Sequence, residues 1–140
     1  MNVEVNYIAV VLSMVSSMVV GMVWYAKPVF GKTWMKMVGM DDRKASEGAA
    51  RAIGVTVVVS LVTAYVLAHV AFLSNHFFGH SFLQDAVTTA FWLWLGLTAA
   101  RFVTHDAFER RPLKLTLMNV AHELVTLLVM GAVIGLFGVK

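Results

Sequence analysis

Four stretches of this chain stay apolar for long enough to cross a bilayer: about Val5 to Tyr25, Arg51 to Leu73, Leu83 to Val103 and Leu113 to Phe137. About twenty apolar residues, rising roughly 1.5 Å each in a helix, cover a hydrocarbon layer roughly 30 Å thick. The pattern therefore predicts an all-α, four-helix transmembrane bundle, with residues 1–140 forming one transmembrane domain. No internal repeat, low-complexity tract or second domain interrupts it.

The connections are patterned too. Between the first two spans, Phe30, Trp34, Met37 and Val38 recur at the i, i+4, i+7, i+8 spacing of one helical face, while Lys32 and Lys36 point elsewhere. This predicts a short amphipathic helix lying in the cytoplasmic interface, its lysines toward anionic lipid and Trp24 and Tyr25 at the membrane edge. Pro28 stops the first span before it. Asp41-Asp42, after Gly39, is placed to cap a further helical piece leading into the second span. Pro112 suits the first turn of the fourth helix, so His105 to Arg111 is read as a short connection closing an antiparallel hairpin.

Charge then orients the spans. Of the eleven basic residues, Lys27, Lys32, Lys36, Arg43, Lys44 and Arg51 fall in or beside the first connection. Arg101, Arg110, Arg111 and Lys114 gather around the third, and Ser74 to Phe82 has none. The excess of Lys and Arg in cytoplasmic loops puts both basic connections inside and both termini outside, with Lys140 alone on the opposite side. The first span is read as retained rather than cleaved: Glu4 stands where a signal sequence needs positive charge, and Trp24-Tyr25 where it needs small residues.

Composition agrees: 59% of the residues are apolar and only 14% charged. The net charge of +3 follows from loop segregation and requires no nucleic acid. There is no cysteine, hence no disulfide, thiolate metal site or cysteine nucleophile. The nine methionines are scattered, as helix packing uses them, rather than clustered as a copper site needs. Nothing calls for a cofactor.

The run Trp24-Tyr25, then Phe30-Gly31-Lys32-Thr33-Trp34, with Arg111-Pro112-Leu113-Lys114-Leu115 and the later Met130-Gly131, resembles a family of small bacterial four-span membrane proteins of unassigned function. The likeness spans nearly the whole chain. It implies a multi-pass protein of the bacterial inner (cytoplasmic) membrane and implies no activity. Where that family's pattern commonly has an aromatic residue followed by His, this chain has His122-Glu123, so the carboxylate is a departure.

That carboxylate is the strongest chemical signal. Glu123 lies ten residues into the fourth span, about 15 Å deep at 1.5 Å per residue, where a charge is costly unless paired, protonated or functional. Thr116, Asn119, Glu123 and Thr126 fall at i, i+3, i+7, i+10 and form one polar stripe, with His122 turned about 100° aside from Glu123. Two readings stand side by side. Glu123 binds a proton or cation with His122 as titrating partner and Asn119 in support, or the stripe glues helices together through hydrogen bonds. Arg101, in the last turns of the third span, either reaches toward Asn119 and Glu123 or snorkels to the headgroups beside His105 and Asp106, the second being preferred.

At the other end, His69, His76, His80 and Asp85 crowd the second connection, but their spacing matches no metal motif and they are weak candidates only. Ser13, Ser17 and Gly21 share a face of the first helix, and Gly131 and Gly135 have the small-xxx-small spacing on the fourth. These are contact faces, within the subunit or between subunits. Trp92 and Trp94 point to opposite sides, so at least one packs against protein. No Gly-x-Ser-x-Gly elbow, His-Glu-x-x-His helix or phosphate-binding glycine loop is present, and position 126 is Thr, so His122-Glu123 is not half of a zinc helix. The leading expectation is a small transport- or channel-like protein, working as a homo-oligomer, with a midplane proton or cation site. A non-catalytic membrane scaffold or accessory protein is the alternative and a membrane-embedded enzyme the third.

Overall fold

The computed structural model describes residues 3–138; Lys140 lies outside them. Among the described residues there is no strand, and four helices are long and apolar enough to cross a membrane: α1 (Tyr7–Trp24), α3 (Asp42–Phe78), α4 (Phe82–Phe108) and α5 (Leu113–Phe137). The short helix α2 (Lys32–Val38) joins α1 to α3. The α1–α3 and α4–α5 connections, which with the helix turns beside them carry most of the Lys and Arg, share one end of the bundle, called here the basic end. Outward-facing side chains along the spans are large and apolar, Ile8, Val58, Val62 and Leu97 among them, as a protein solvated by lipid requires.

The ends of the helices follow from local chemistry. Asn6 caps α1, its side-chain oxygen accepting from the amides of Ile8 (3.1 Å) and Ala9 (3.2 Å). Asp41 caps α3 through the amide of Lys44 at 2.8 Å. The capped piece and the second span are continuous: α3 has 37 residues, about 55 Å at 1.5 Å each, so its first turns extend past what the hydrocarbon layer needs. Pro112 sits just before α5 as its cap rather than inside the first turn, its carbonyl accepting from Leu115 (2.9 Å) and Thr116 (3.2 Å). On the other side of that connection α4 runs through His105 to Phe108, and only four residues make the turn.

The amphipathic helix forms, with one change of membership. Lys32 and Lys36 are exposed while Trp34, Met37 and Val38 are half-buried, and Trp34 packs edge-on against Tyr25 with ring centroids 5.5 Å apart. Phe30 belongs instead to a wide π-type turn, Lys27–Gly31, that opens at Pro28 and turns its ring onto Trp24 at 4.8 Å. Gly31 closes the turn against the Tyr25 carbonyl oxygen, a contact that leaves no space for a Cβ.

α5 is the hub, contacting α1 and α4 most extensively. It runs antiparallel to α1 in a register marked by polar links: Asn6 Nδ2 donates to the Phe137 carbonyl (3.4 Å), Ser13 Oγ to the Met130 carbonyl (3.3 Å), and Tyr25 OH to Asn119 Oδ1 (3.2 Å). Against α4 the approach is closer. A Cβ on Gly131 would come within 2.8 Å of Ala90 Cβ, and one on Gly135 within 2.6 Å of Leu83 Cα. Both glycines therefore serve packing inside the subunit. Ser13 and Ser17 are buried on α1 in the same seam, and Gly21 gives His122 its space, a Cβ there meeting Nε2 at 3.7 Å.

α3 packs over only part of its length. Its buried residues are Ala64, Leu67, Ala68 and Ala71, which meet Ala86 and Ala90 of α4 in the common core with Val10, Leu127, Met130 and Ile134. From Asp42 to Val59 no residue of α3 is buried.

Candidate functional site

Where α3 stands off, a cleft of about 640 Å³ opens in the half of the bundle nearer the basic end. α1 walls it with Ser17, Gly21, Met22 and Tyr25, α3 with residues between Ala52 and Thr63, and α5 with His122, Glu123, Thr126 and Leu127. α4 supplies no lining residue, so the cleft has three walls and an open side. Toward the basic end Lys27 and Asp42 pair at 2.8 Å, both largely exposed, tying the start of α3 to the turn that follows α1.

The polar stripe expected on α5 divides into two groups with different work. Thr116 and Asn119 are occupied in helix contacts: Thr116 Oγ1 donates to Asp106 Oδ2 of α4 at 2.6 Å, and Asn119 accepts from Tyr25. Glu123, His122 and Thr126 line the cleft instead. His122 Nδ1 stands 3.3 Å from Glu123 Oε1, and its Nε2 is 3.4 Å from Thr126 Oγ1. The two positions remain about 100° apart around the helix, yet their side chains converge. Helical geometry explains it: at about 100° per residue, His122 lies within about 40° of Thr126, one turn later, while Glu123 flanks Thr126 on the other side. The imidazole is also the more enclosed partner, its side chain 13% exposed against 33% for Glu123.

The aromatic residues expected at the membrane edge are part of this site. The Tyr25 ring lies 4.9 Å from the His122 ring and the Trp24 ring 5.9 Å from it. Trp24 Nε1 is buried without a hydrogen-bond partner among the described residues. On α3, Thr56, Ser60 and Thr63 turn hydroxyl-bearing side chains along the cleft, with Thr56 and Thr63 donating back to the carbonyls of Ala52 and Val59. Their i, i+4, i+7 spacing inside an apolar span was a legible sign that this face meets something other than lipid.

A family model described as a protein of unknown function, DUF1761, matches residues 8–135. The chain belongs to the DUF1761 family. The matched residues include all four long helices but the first residue of α1 and the last two of α5, and they include the cleft. The family's description assigns no activity. No curated protein matches the chain, and no solved structure does.

The remaining candidates of this DUF1761 protein lie elsewhere. Arg101 is exposed on α4, in a surface groove with His105, Asp106 and Glu109, and does not approach Asn119 or Glu123. At the end opposite the basic loops, His80 Nδ1 pairs with Asp85 Oδ1 at 2.9 Å, and Asn75 Nδ2 donates to Asp85 Oδ2 at 2.8 Å and to the His80 carbonyl at 2.9 Å. His69 instead bonds the Tyr65 carbonyl (2.9 Å) and His76 stacks on Phe72. Among the described residues, no three His, Asp or Glu side chains converge as a metal ion requires. The Asn75, His80 and Asp85 set works as a clasp, fixing the connection between α3 and α4. Trp94 donates its indole N–H to the Val120 carbonyl of α5 at 3.0 Å, while Trp92 is exposed.

Proposed function

We propose that this is a small multi-pass transport-type membrane protein in which Glu123, paired with His122, binds a proton or cation inside the cleft. The observation that carries the reading is the placement of the carboxylate. A residue kept only to hold helices together bonds across a helix interface, as Tyr25, Asn119, Ser13, Thr116 and Trp94 do. Glu123 lies on the wall of an open cleft, and its polar partner among the described residues is its own neighbour. A carboxylate at that depth is costly, and a bound proton or cation is what lowers the cost.

The segregation of Lys and Arg supports placing the basic end in the cytoplasm and both termini outside, in a bacterial inner membrane. Self-association as a homo-oligomer keeps one motive, the open side of the cleft, since Gly131 and Gly135 are used within the subunit. The test is flux in reconstituted vesicles. A pH-dependent flux of protons or of an alkali or organic cation that Glu123→Gln abolishes, with the variant folded as the parent, is the expected result. Wild-type flux equal to that of empty vesicles removes the proposal and leaves the scaffold reading.

A further inference from the structure

The geometry points to an amphipathic organic cation, a lipophilic amine or quaternary onium ion, as the ligand of the cleft beside Glu123. This rests on the reading of Glu123 as a charge-binding group and goes beyond it in naming the substrate class.

Size comes first. A space of about 640 Å³ falls within the range of roughly 300–1,000 Å³ that takes organic molecules, and far exceeds the roughly 30 Å³ share of one water. A proton or bare metal ion needs no such space, and among the described residues no set of three His, Asp or Glu side chains converges to replace an ion's hydration shell. The walls come next. Met18, Met22, Ile53, Val59 and Met130 make most of the lining apolar, and the methionines are adaptable to ligand shape. Against that apolar surface stand one carboxylate and one aromatic face, Glu123 and Tyr25, the pair of features that recognises an organic cation by charge and by cation–π attraction.

The route of entry selects the same class. The segments at the basic end carry Lys27, Lys32, Lys36, Arg110 and Arg111, a local excess of positive charge that disfavours a small hydrated cation arriving from water on that side. The ion pair Lys27 and Asp42 cancels its own charge. The open side, where α4 supplies no wall, lies along the apolar spans and admits a molecule that already partitions into the bilayer. A cation whose apolar body shields its charge can follow that side to the depth of Glu123.

The experiment measures tetraphenylphosphonium binding to the purified full chain in detergent and in vesicles, with sodium and tetramethylammonium as cations lacking an apolar body. Saturable binding that Glu123→Gln weakens at least tenfold, and that excess sodium leaves nearly unchanged, is expected. Val59→Trp, which fills the cleft from α3 without touching the carboxylate, weakens binding by a similar factor while an unchanged melting midpoint shows the fold intact. Binding equal in parent and Glu123→Gln would mean partition into a lipid-like groove and overturns the inference. Glu123-dependent proton or sodium flux without phosphonium binding also overturns it but leaves the proposed function standing. Neither flux nor binding removes both.

Discussion

The two halves of the bundle are built from the same helices yet packed on opposite principles. In the half away from the basic end, alanines and glycines face one another: Ala64, Ala68 and Ala71 on α3, Ala86 and Ala90 on α4, Gly131 and Gly135 on α5. Backbones approach until a single added Cβ would collide. In the half nearer the basic end the facing residues are Met18, Met22, Ile53, Val59, His122 and Glu123, and the helices stand apart around a cleft. In a bilayer, where lipid tails are as apolar as leucine, helices associate through close contact and interhelical hydrogen bonds rather than through exclusion of water. Small residues thus decide where the bundle closes, and larger and polar ones decide where it stays open.

The comparison is broken most severely from the closed half. Gly135→Leu drives a side chain into Leu83 and Ala86, and its cost should be about 3 kcal/mol, read as a large drop in the unfolding midpoint in detergent. A midpoint unchanged by this variant would mean that α4 and α5 do not touch as described. Trp94→Phe removes one interhelical hydrogen bond to the Val120 carbonyl and should cost about 1 kcal/mol, with flux retained. Glu123→Gln should change stability least, within about 0.5 kcal/mol, because the side chain stands in the cleft wall and holds no second helix. A loss as large as that of Gly135→Leu would make Glu123 a packing residue and erase the distinction between the halves.

Much of this architecture was legible from periodicity. The fourth span was read as Leu113 to Phe137 and α5 has those bounds, because hydrophobic length and Pro112 mark both ends without help from the rest of the chain. The amphipathic face of α2 was visible in the same way. The site was legible only in part. Glu123, His122 and Thr126 were named from their depth and spacing, but the stripe was read as one surface, and its division into a glued portion and a cleft portion depends on what α1 and α4 place opposite. Tyr25 and Trp24 were read as interface anchors since nothing local distinguishes an aromatic residue in headgroups from one against an imidazole.

The π-type turn within α4 shows the same boundary. Between Trp94 and Ala99 the helix widens to a π-type turn, so that the Ala100 amide bonds the Leu95 carbonyl. One residue added within a turn rotates everything after it by about 100°, which carries Arg101 and His105 to the surface rather than toward Glu123. No residue in Trp94-Leu95-Gly96-Leu97 requires that turn.

The amino-acid sequence by itself determined that four long helices form, where the last of them begins and ends, and which polar groups lie deep, since each of these depends on local hydrophobicity, capping and the rise per residue. Only the tertiary structure decided which small residues meet, how far α3 stands from α1 and α5, and that Glu123 faces open space. Those outcomes depend on side-chain volumes from three helices at once, and no single stretch of chain carries that sum.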